Sequence, residues 1–485
     1  MPHEIKGLNE ECGVFGIWGN PNAAELTHLG LHTLQHRGQE GAGIVGLTDH
    51  GLVRHHGLGL LSEVFTKPMQ LAALHGSAAL GHVRYSTAGG RVLENIQPLL
   101  FRFSDEAIAL AHNGNLTNAI SLRRKLEDNG AIFQSTSDTE VLMHLVRRSK
   151  QPTFAAQLKE ALNKVHGGFA FMLLTEHAMY AASDPNGFRP LVIGALPDGG
   201  TVICSETAAL NAIGAKFVRD VQPGEMLTVD DAGLHAEQYT TDTQLSVCSM
   251  EFIYFARPDS NIFGVNVHEA RVRLGEQLAR EQPVDADIVC GVPNSSLSAA
   301  IGYARASNLP YEMGLVKSQY VARTFIQPTQ ELRERSVRMK LSAIPDVVRG
   351  KKVVLVDDSI VRGTTSMQIV KLLRQAGAKE VHLRISSPPL RFPCFYGIDI
   401  QSMDELMAAN HSVAEMRELL DVDSLGFLSV SGLEESVGLK TTAPHGGLCT
   451  AYFTGDYPTP LDDYAAGFAK EMACRKIDVS EVSAP

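Results

Sequence analysis

Two adjacent carboxylates, Asp357 and Asp358, close the apolar run Val353-Val354-Leu355-Val356, and Arg362-Gly363-Thr364-Thr365-Ser366 follows a few positions on. The run has the length and composition of a buried parallel strand, which delivers the two charges at its own carboxyl end. The string after it offers backbone N–H groups and three hydroxyls at the start of a helix expected near Met367, which is a cradle for phosphate. Carboxylates accept hydrogen bonds from sugar hydroxyls or face magnesium, so pair and cradle together suit a phosphorylated ribose. The plainer reading of the pair alone is a strand end with two solvated aspartates.

A cysteine offers a second chemistry. Cys12 follows Glu10-Glu11 and opens the apolar stretch Gly13 to Trp18; by itself it reads as a small buried hydrophobe. Four polar segments further on change that reading: Gln35-His36-Arg37-Gly38-Gln39-Glu40, Gly81-His82-Val83-Arg84-Tyr85-Ser86-Thr87, Ala111-His112-Asn113-Gly114-Asn115 and Ser137-Asp138-Thr139-Glu140. Each lies beside an apolar run, as loops converging at the edge of a sandwich of sheets would. Taken singly, Arg84 reads as a surface ion pair and Asn113-Gly114 as a hairpin turn. A chain beginning at Cys12 would carry a free α-amino group with pKa near about 8, able to take the thiol proton of the same residue. An intact peptide bond before Cys12 removes that base.

The elements that must position these groups are readable in outline. A chain of 485 residues implies two or three domains. Helical patterning runs from Val141 to about Val165 with a break before Pro152, then strand-length alternation from Phe169 to about Gln238. Polar composition at Thr240 to Thr243 places a domain boundary near residue 245, and Cys248 to Ser260 begins something new. Helical periodicity from His268 to Glu281 leads to the strand Ala286 to Gly291, the polar turn Val292 to Ser296 and a helix from Leu297. Lys317 to Arg349 is rich in Lys, Arg and Gln, by default a solvated surface helix. The net charge is −11, from 43 Lys and Arg against 54 Asp and Glu, with no basic run interleaved with aromatics, which argues against nucleic acid. No apolar stretch approaches about 18 residues and the first eleven residues are too polar for a signal peptide, so a cytoplasmic protein is expected. Seven scattered cysteines argue against a disulfide framework.

The segments around Cys12, Arg37, Arg84, Asn113 and Asp138 resemble class II glutamine amidotransferases of the N-terminal-nucleophile hydrolases. The string from Lys351 to Ser366 resembles the substrate loop of type I phosphoribosyltransferases, which bind phosphoribosyl pyrophosphate. The resemblance implies an αββα sandwich followed by an α/β domain with a parallel sheet. It divides the chain into a propeptide (1–11), a glutaminase domain (12–245), a phosphoribosyltransferase domain (246–460) and a C-terminal helical tail (461–485). It makes Cys12 the nucleophile, released by cleavage after Glu11, with Asn113 and the Gly114 N–H as oxyanion hole. Arg84 and Asp138 would bind the glutamine α-carboxylate and α-ammonium, and Arg37 and Gly38 would line the same pocket. In the second domain Asp357, Asp358, Arg362, Gly363, Thr364, Thr365 and Ser366 would hold the phosphoribosyl group. Ser295 would stand beside the metal-bound diphosphate, although a helix-capping serine looks the same in sequence. Lys317 and Arg338, in a segment that resembles the family's flap, would contact the diphosphate. Implied partners are glutamine, phosphoribosyl pyrophosphate, magnesium, purine nucleotide inhibitors and further copies of the chain, as a homotetramer. The implied reaction passes ammonia from glutamine to C1 of the ribose, giving 5-phosphoribosylamine for purine synthesis.

One departure stands out. Propeptide-bearing relatives often hold a [4Fe–4S] cluster on four cysteines, and Cys248, Cys394 and Cys449 fall in matching contexts. The closing Cys-x-x-Cys reads Cys449-Thr450-Ala451-Tyr452 here. Cys474 is too distant in sequence and His445 wrongly spaced to substitute, and clusters prefer four thiolates, so no cluster is expected. Other class II amidotransferases, such as glucosamine 6-phosphate synthases and asparagine synthetases, would lack the string Val353 to Ser366. A regulator that senses phosphoribosyl pyrophosphate would carry a DNA-binding module in place of the N-terminal motifs, and a catalytically silent scaffold would not need every chemical residue present.

Overall fold

The computed structural model describes residues 12–85, 92–318, 341–398, 400 and 402–475. Residues 1–11, Arg338 and most of the basic segment lie outside the described residues.

Two antiparallel sheets stack face to face over residues 13–238. One orders β11 (Lys216–Asp220), β9 (Val192–Ala195), β10 (Thr201–Cys204), β1 (Gly13–Trp18), β4 (Ala78–Arg84), β2 (Gly41–Thr48) and β3 (Gly51–Leu58). The other orders β13 (Gly233–Gln238), β12 (Glu225–Asp230), β8 (Met179–Ser183), β7 (Gly167–Leu174), β6 (Ala107–Leu116) and β5 (Leu99–Arg102). Val14, Trp18, Ala109, Ala111, Met172 and Met179 fill the space between the sheets. A Cβ on Gly16 would come within 2.6 Å of the Met172 methyl, so a glycine here lets the sheets close. Phe15, Ile17, Leu31 and Leu34 pack the outer face of the first sheet against the helix Ala23–Thr33. Phe169, Phe171, Leu142, Val146 and Leu158 pack the second against the helices Glu140–Arg148 and Phe154–Leu162. Helices on both outer faces make the αββα sandwich, and they explain why β1, β4, β7 and β8 are buried along their whole length rather than alternating. The stretch read as strands throughout also contains a short helix, Thr207–Ala212.

The remainder is built on a parallel sheet ordered β17 (Ile288–Gly291), β20 (Lys352–Asp357), β21 (Glu380–Ile385) and β22 (Ser424–Phe427). Val354 and Val356 face the helices Val267–Glu281 and Leu297–Ser307, through Leu274, Leu278, Ala299 and Tyr303. Val353 and Leu355 face the opposite side, where Ile369, Val370 and Leu373 of the helix Thr364–Gln375 cover them. A strand covered twice is apolar at every position, which is why the run before Asp357 shows no alternation. Small pairings complete the domain: β14 (Val247–Cys248) runs parallel to β23 (Leu448–Cys449), and β15 (Asn261–Ile262) pairs with β16 (Val265–Asn266). The basic segment is entered and left through an antiparallel ribbon, β18 (Leu315–Lys317) with β19 (Leu341–Ala343), where a surface helix was the default.

Candidate active sites

The first site forms where β1 begins and β4 ends. Gly13 lies opposite Val83, so the residue before β1 meets the residues that follow β4. The buried Cys12 thiol donates to the Tyr85 carbonyl at 3.3 Å, and the Tyr85 N–H points to the sulfur at 3.5 Å. Side chains alternate along strands, and Val14 and Trp18 face the second sheet, so Cys12 faces it too. Ala109 and Ala111 of β6 face back, which puts Asn113 on the same inner surface. His82 Nε2 meets the His112 carbonyl at 3.1 Å and ties the two sheets at this level, with Arg84 two residues further along the same face. The register therefore brings Cys12, Arg84 and Asn113 to one end of the sandwich interior.

Two of the segments read as loops are strand residues. Asn113 and Gly114 lie inside β6, paired with Ala170 and Phe169, and not in a hairpin turn. Gly114 has φ +140°, and a Cβ there would stand 2.0 Å from the Gly168 carbonyl oxygen, so only glycine fits. The Asn113 Nδ2 group is buried and has no hydrogen-bond partner among the described residues. Neighbours are well secured: the His112 N–H donates to Gln97 Oε1 at 2.6 Å, Gln97 Nε2 donates to Thr139 Oγ1 at 3.1 Å, and the Leu116 N–H donates to Asp138 Oδ2 at 3.0 Å. Burial pushes the His82 imidazole down to about 3 and lowers His112 as well, so both rings stay neutral. A buried amide donor without a partner among the described residues, flanked by secured neighbours, is suited to a developing oxyanion.

Arg37 and Gly38, expected among the glutamine ligands, make supporting contacts. The fully buried Arg37 guanidinium donates through Nε to the Cys12 carbonyl at 3.2 Å and pairs with Glu206 at 2.6 Å and Glu251 at 2.5 Å. Burial alone would raise Glu206; His36 and Arg37 outweigh it and hold that carboxylate well below the usual range. A Cβ on Gly38 would lie 2.6 Å from the Val83 carbonyl carbon, so this glycine lets the turn pack onto the end of β4. Glu251 continues the network toward the second domain, because Arg271 donates to the Phe252 carbonyl at 2.7 Å and the Ala256 carbonyl at 2.8 Å. Glu206, Glu251 and Arg271 carry no sequence signal beyond being charged residues in apolar surroundings.

The second site lies at the carboxyl edge of the parallel sheet, where ligands of open α/β sheets bind. Asp357 and Asp358 are both buried, and burial, joined at Asp357 by the charge of its neighbour, raises both above the ordinary carboxyl range. Ser296 Oγ donates to Asp357 Oδ1 at 3.0 Å and stands 3.5 Å from Asp358 Oδ2. Sequence reasoning singled out Ser295, whose hydroxyl also faces Asp358; Ser296 was missed because only geometry separates the two. Ser296 is the residue before the helix Leu297–Ser307, yet its side chain does not cap it and is given to the carboxylates instead. The helix expected near Met367 begins at Thr364, so Thr364, Thr365 and Ser366 form its first turn, whose N–H groups lie outside the helical ladder. Gly363 precedes it at φ +74°, with Met407 Sδ where a Cβ would go, 2.5 Å away. Arg362 ion-pairs with Glu405. Lys317 is exposed at the end of β18.

Comparison with known proteins finds a known domain family in each half of the chain. The glutamine amidotransferase domain family matches residues 82–212, and the phosphoribosyl transferase domain family matches residues 268–386. Amidophosphoribosyltransferase of Staphylococcus aureus (strain COL) is 57% identical over 97% of this chain and 95% of its own length, and that of Bacillus subtilis (strain 168) is 56% identical over 98% and 100%. The chain belongs to the amidophosphoribosyltransferase family. A solved amidophosphoribosyltransferase of B. subtilis, complexed with ADP and GMP, is 55% identical, superposes with a TM-score of 0.89 and covers 93% of this chain and 98% of that one. A second, described as the allosteric regulatory enzyme of purine biosynthesis, has the same TM-score at 56% identity and covers 93% and 97%. The chain is thus a two-domain enzyme of purine biosynthesis, with a glutamine amidotransferase domain followed by a phosphoribosyltransferase domain. Three of the four cysteines in the second domain come together around Tyr452: Cys248 and Cys449 are register partners, and the Cys248 and Cys394 sulfurs each lie 3.3 Å from the Tyr452 hydroxyl. His445 is engaged with Glu434 and Asp456, and Cys474 is exposed on the helix Ala465–Arg475.

Proposed function

We propose that the two sites run one reaction in halves: Cys12 releases ammonia from glutamine, and the ammonia displaces pyrophosphate from C1 of phosphoribosyl pyrophosphate to give 5-phosphoribosylamine. Removal of residues 1–11 exposes the Cys12 α-amino group, which takes the thiol proton. The sulfur attacks the glutamine amide carbon, and the oxygen that gains charge is met by Asn113 Nδ2 and the Gly114 N–H. The Cys12 α-ammonium returns that proton to the amide nitrogen as the intermediate collapses, which expels ammonia and leaves a thioester that water hydrolyses to glutamate. Arg84 binds the α-carboxylate and Asp138 the α-ammonium, while Arg37 and Gly38 steady the Cys12 backbone and the end of β4. The observation that carries this half is the buried Asn113 amide, without a hydrogen-bond partner among the described residues, on the surface that Cys12 faces.

In the second half, Asp357 and Asp358 accept from the ribose hydroxyls, and Gly363 with the first-turn amides and hydroxyls of Thr364, Thr365 and Ser366 holds the 5-phosphate. Lys317, and Arg338 from beyond the described residues, supply positive charge to the diphosphate, and Arg362 borders the loop. Magnesium fits this site: two adjacent buried carboxylates and the Ser295 and Ser296 hydroxyls are hard oxygen donors, and the described residues hold no cluster of three or more ionisable ligands that would form an all-protein cage. Such a site suits an ion that arrives with substrate phosphates and neutralises the charge of the departing pyrophosphate. The cysteine cluster does not fit a four-thiolate iron–sulfur group, because a phenol stands where the fourth thiolate would be. Purine nucleotides act as inhibitors in this reading, and the chain assembles as a homotetramer in the cytoplasm. None of the described helices is long and apolar enough to cross a membrane. The test is intact mass paired with glutamate release, with and without phosphoribosyl pyrophosphate. Loss of the first eleven residues with stimulated release supports the reading; an unprocessed chain that releases no glutamate refutes its glutaminase half.

A further inference from the structure

The environment of Tyr452 differs from that of an ordinary core tyrosine. The side chain is 2% exposed, and two cysteine sulfurs from distant parts of the chain approach its hydroxyl at the same 3.3 Å. The third, Cys449, sits three residues upstream and in register with Cys248 across a parallel pairing. The backbone is drawn to the same point, because the Arg391 and Phe392 N–H groups donate to the Tyr452 carbonyl at 2.8 and 3.0 Å and the Tyr396 N–H donates to Cys394 Sγ at 3.3 Å. Three chain segments, β14, the stretch 391–396 and β23 with its following turn, therefore converge on one phenol.

We propose that Tyr452 is a protein-made substitute for a metal cluster, and that this one side chain decides that the enzyme folds without iron. Two cysteine sulfurs already meet at the Tyr452 hydroxyl, and the third cysteine stands in register beside Cys248. The phenol stands at the fourth position of the motif, and because its hydroxyl touches the Cys248 and Cys394 sulfurs, it occupies the space an inorganic core bound to those sulfurs would need. A cluster would cross-link these three segments through metal–sulfur bonds; Tyr452 links them through its hydroxyl contacts with Cys248 and Cys394 and its backbone contacts with 391–392. Removing the ring and supplying a thiol at position 452 changes both conditions at once. The inference concerns the cysteine cluster alone and does not depend on the reaction assigned to the two active sites.

The full-length wild type, Tyr452→Phe and Tyr452→Cys are each incubated anaerobically with ferrous iron and sulfide, desalted, and measured for iron, acid-labile sulfide and visible absorbance. Wild type and Tyr452→Phe are expected to retain no iron, because in both the ring still fills the space. Tyr452→Cys is expected to retain about four iron atoms per chain, with broad visible absorbance. Iron held in the wild type or in Tyr452→Phe overturns the proposal, as does a folded Tyr452→Cys protein that takes up none. If Tyr452→Cys is recovered in soluble form only when expressed with iron and sulfide, the metal has replaced the phenol as the tie, which supports it. If it is recovered under neither condition, the proposal fails, because a thiol with iron and sulfide then does not replace the phenol.

Discussion

Asn113→Ala is expected to move activity and stability in opposite directions. The Asn113 Nδ2 donor is buried without a hydrogen-bond partner among the described residues, and leaving a polar group in that condition costs about 1–3 kcal/mol. Truncation to alanine removes that cost and leaves a small void, worth about 1 kcal/mol against the fold. The net change is between no effect and about 2 kcal/mol of added stability, in a class of substitution that ordinarily destabilises. The same substitution removes one oxyanion donor, which lowers turnover by about 10²–10³, or about 2.7–4 kcal/mol in the barrier. Glutamate release measures the loss, ammonium-dependent phosphoribosylamine formation serves as the control for an intact second domain, and urea midpoints measure stability. A loss of stability beyond about 1 kcal/mol, or a fall in glutamine turnover of less than about tenfold, would refute the reasoning.

Three other outcomes follow from the geometry. Glu251→Ala leaves the buried Arg37 charge short of a partner and is expected to cost about 3–5 kcal/mol, whereas Glu237→Ala, which breaks an exposed pair with Lys159, costs less than about 1 kcal/mol; equal urea midpoints for the two would contradict the assignment. His82 has a folded pKa near 3, below the unfolded value of about 6.5, so the unfolded chain gains a proton that the fold refuses and stability falls as pH drops through that window. Between pH 7 and pH 5 the stability difference between wild type and His82→Asn should shift by up to about 2 kcal/mol against the wild type, and a pH-independent difference would show that His82 is not held neutral. Asp357→Asn combined with Asp358→Asn should suppress product formation from glutamine and from ammonium alike, and persistent ammonium-dependent synthesis would remove the carboxylates from the acceptor site.

The sequence revealed motifs better than it revealed geometry. The strand before Asp357 was legible because a twice-covered strand is apolar throughout, and the two helices either side of Pro152 because proline and periodicity mark their own breaks. Asn113-Gly114 was misleading, since the same dipeptide that makes hairpin turns here sits mid-strand, forced by the close approach of Gly168. Ser296 was invisible beside Ser295, because adjacent serines differ only in where the turn points them. The network through Arg37, Glu206, Glu251 and Arg271 joins residues more than two hundred positions apart, and no local pattern reports such pairing. Tyr452 was noticed as the breaking of a cysteine motif; that its hydroxyl reaches two of the remaining sulfurs needed the fold.

The most direct test of two separable sites in one chain is Cys12→Ala, assayed for phosphoribosylamine formation with glutamine and with ammonium as alternative nitrogen donors. The account predicts that synthesis from glutamine disappears and synthesis from ammonium stays within about twofold of wild type, because the thiol is confined to the sandwich and the carboxylate pair to the parallel sheet. Loss of both activities, or glutamine-dependent synthesis that survives without the thiol, would contradict it.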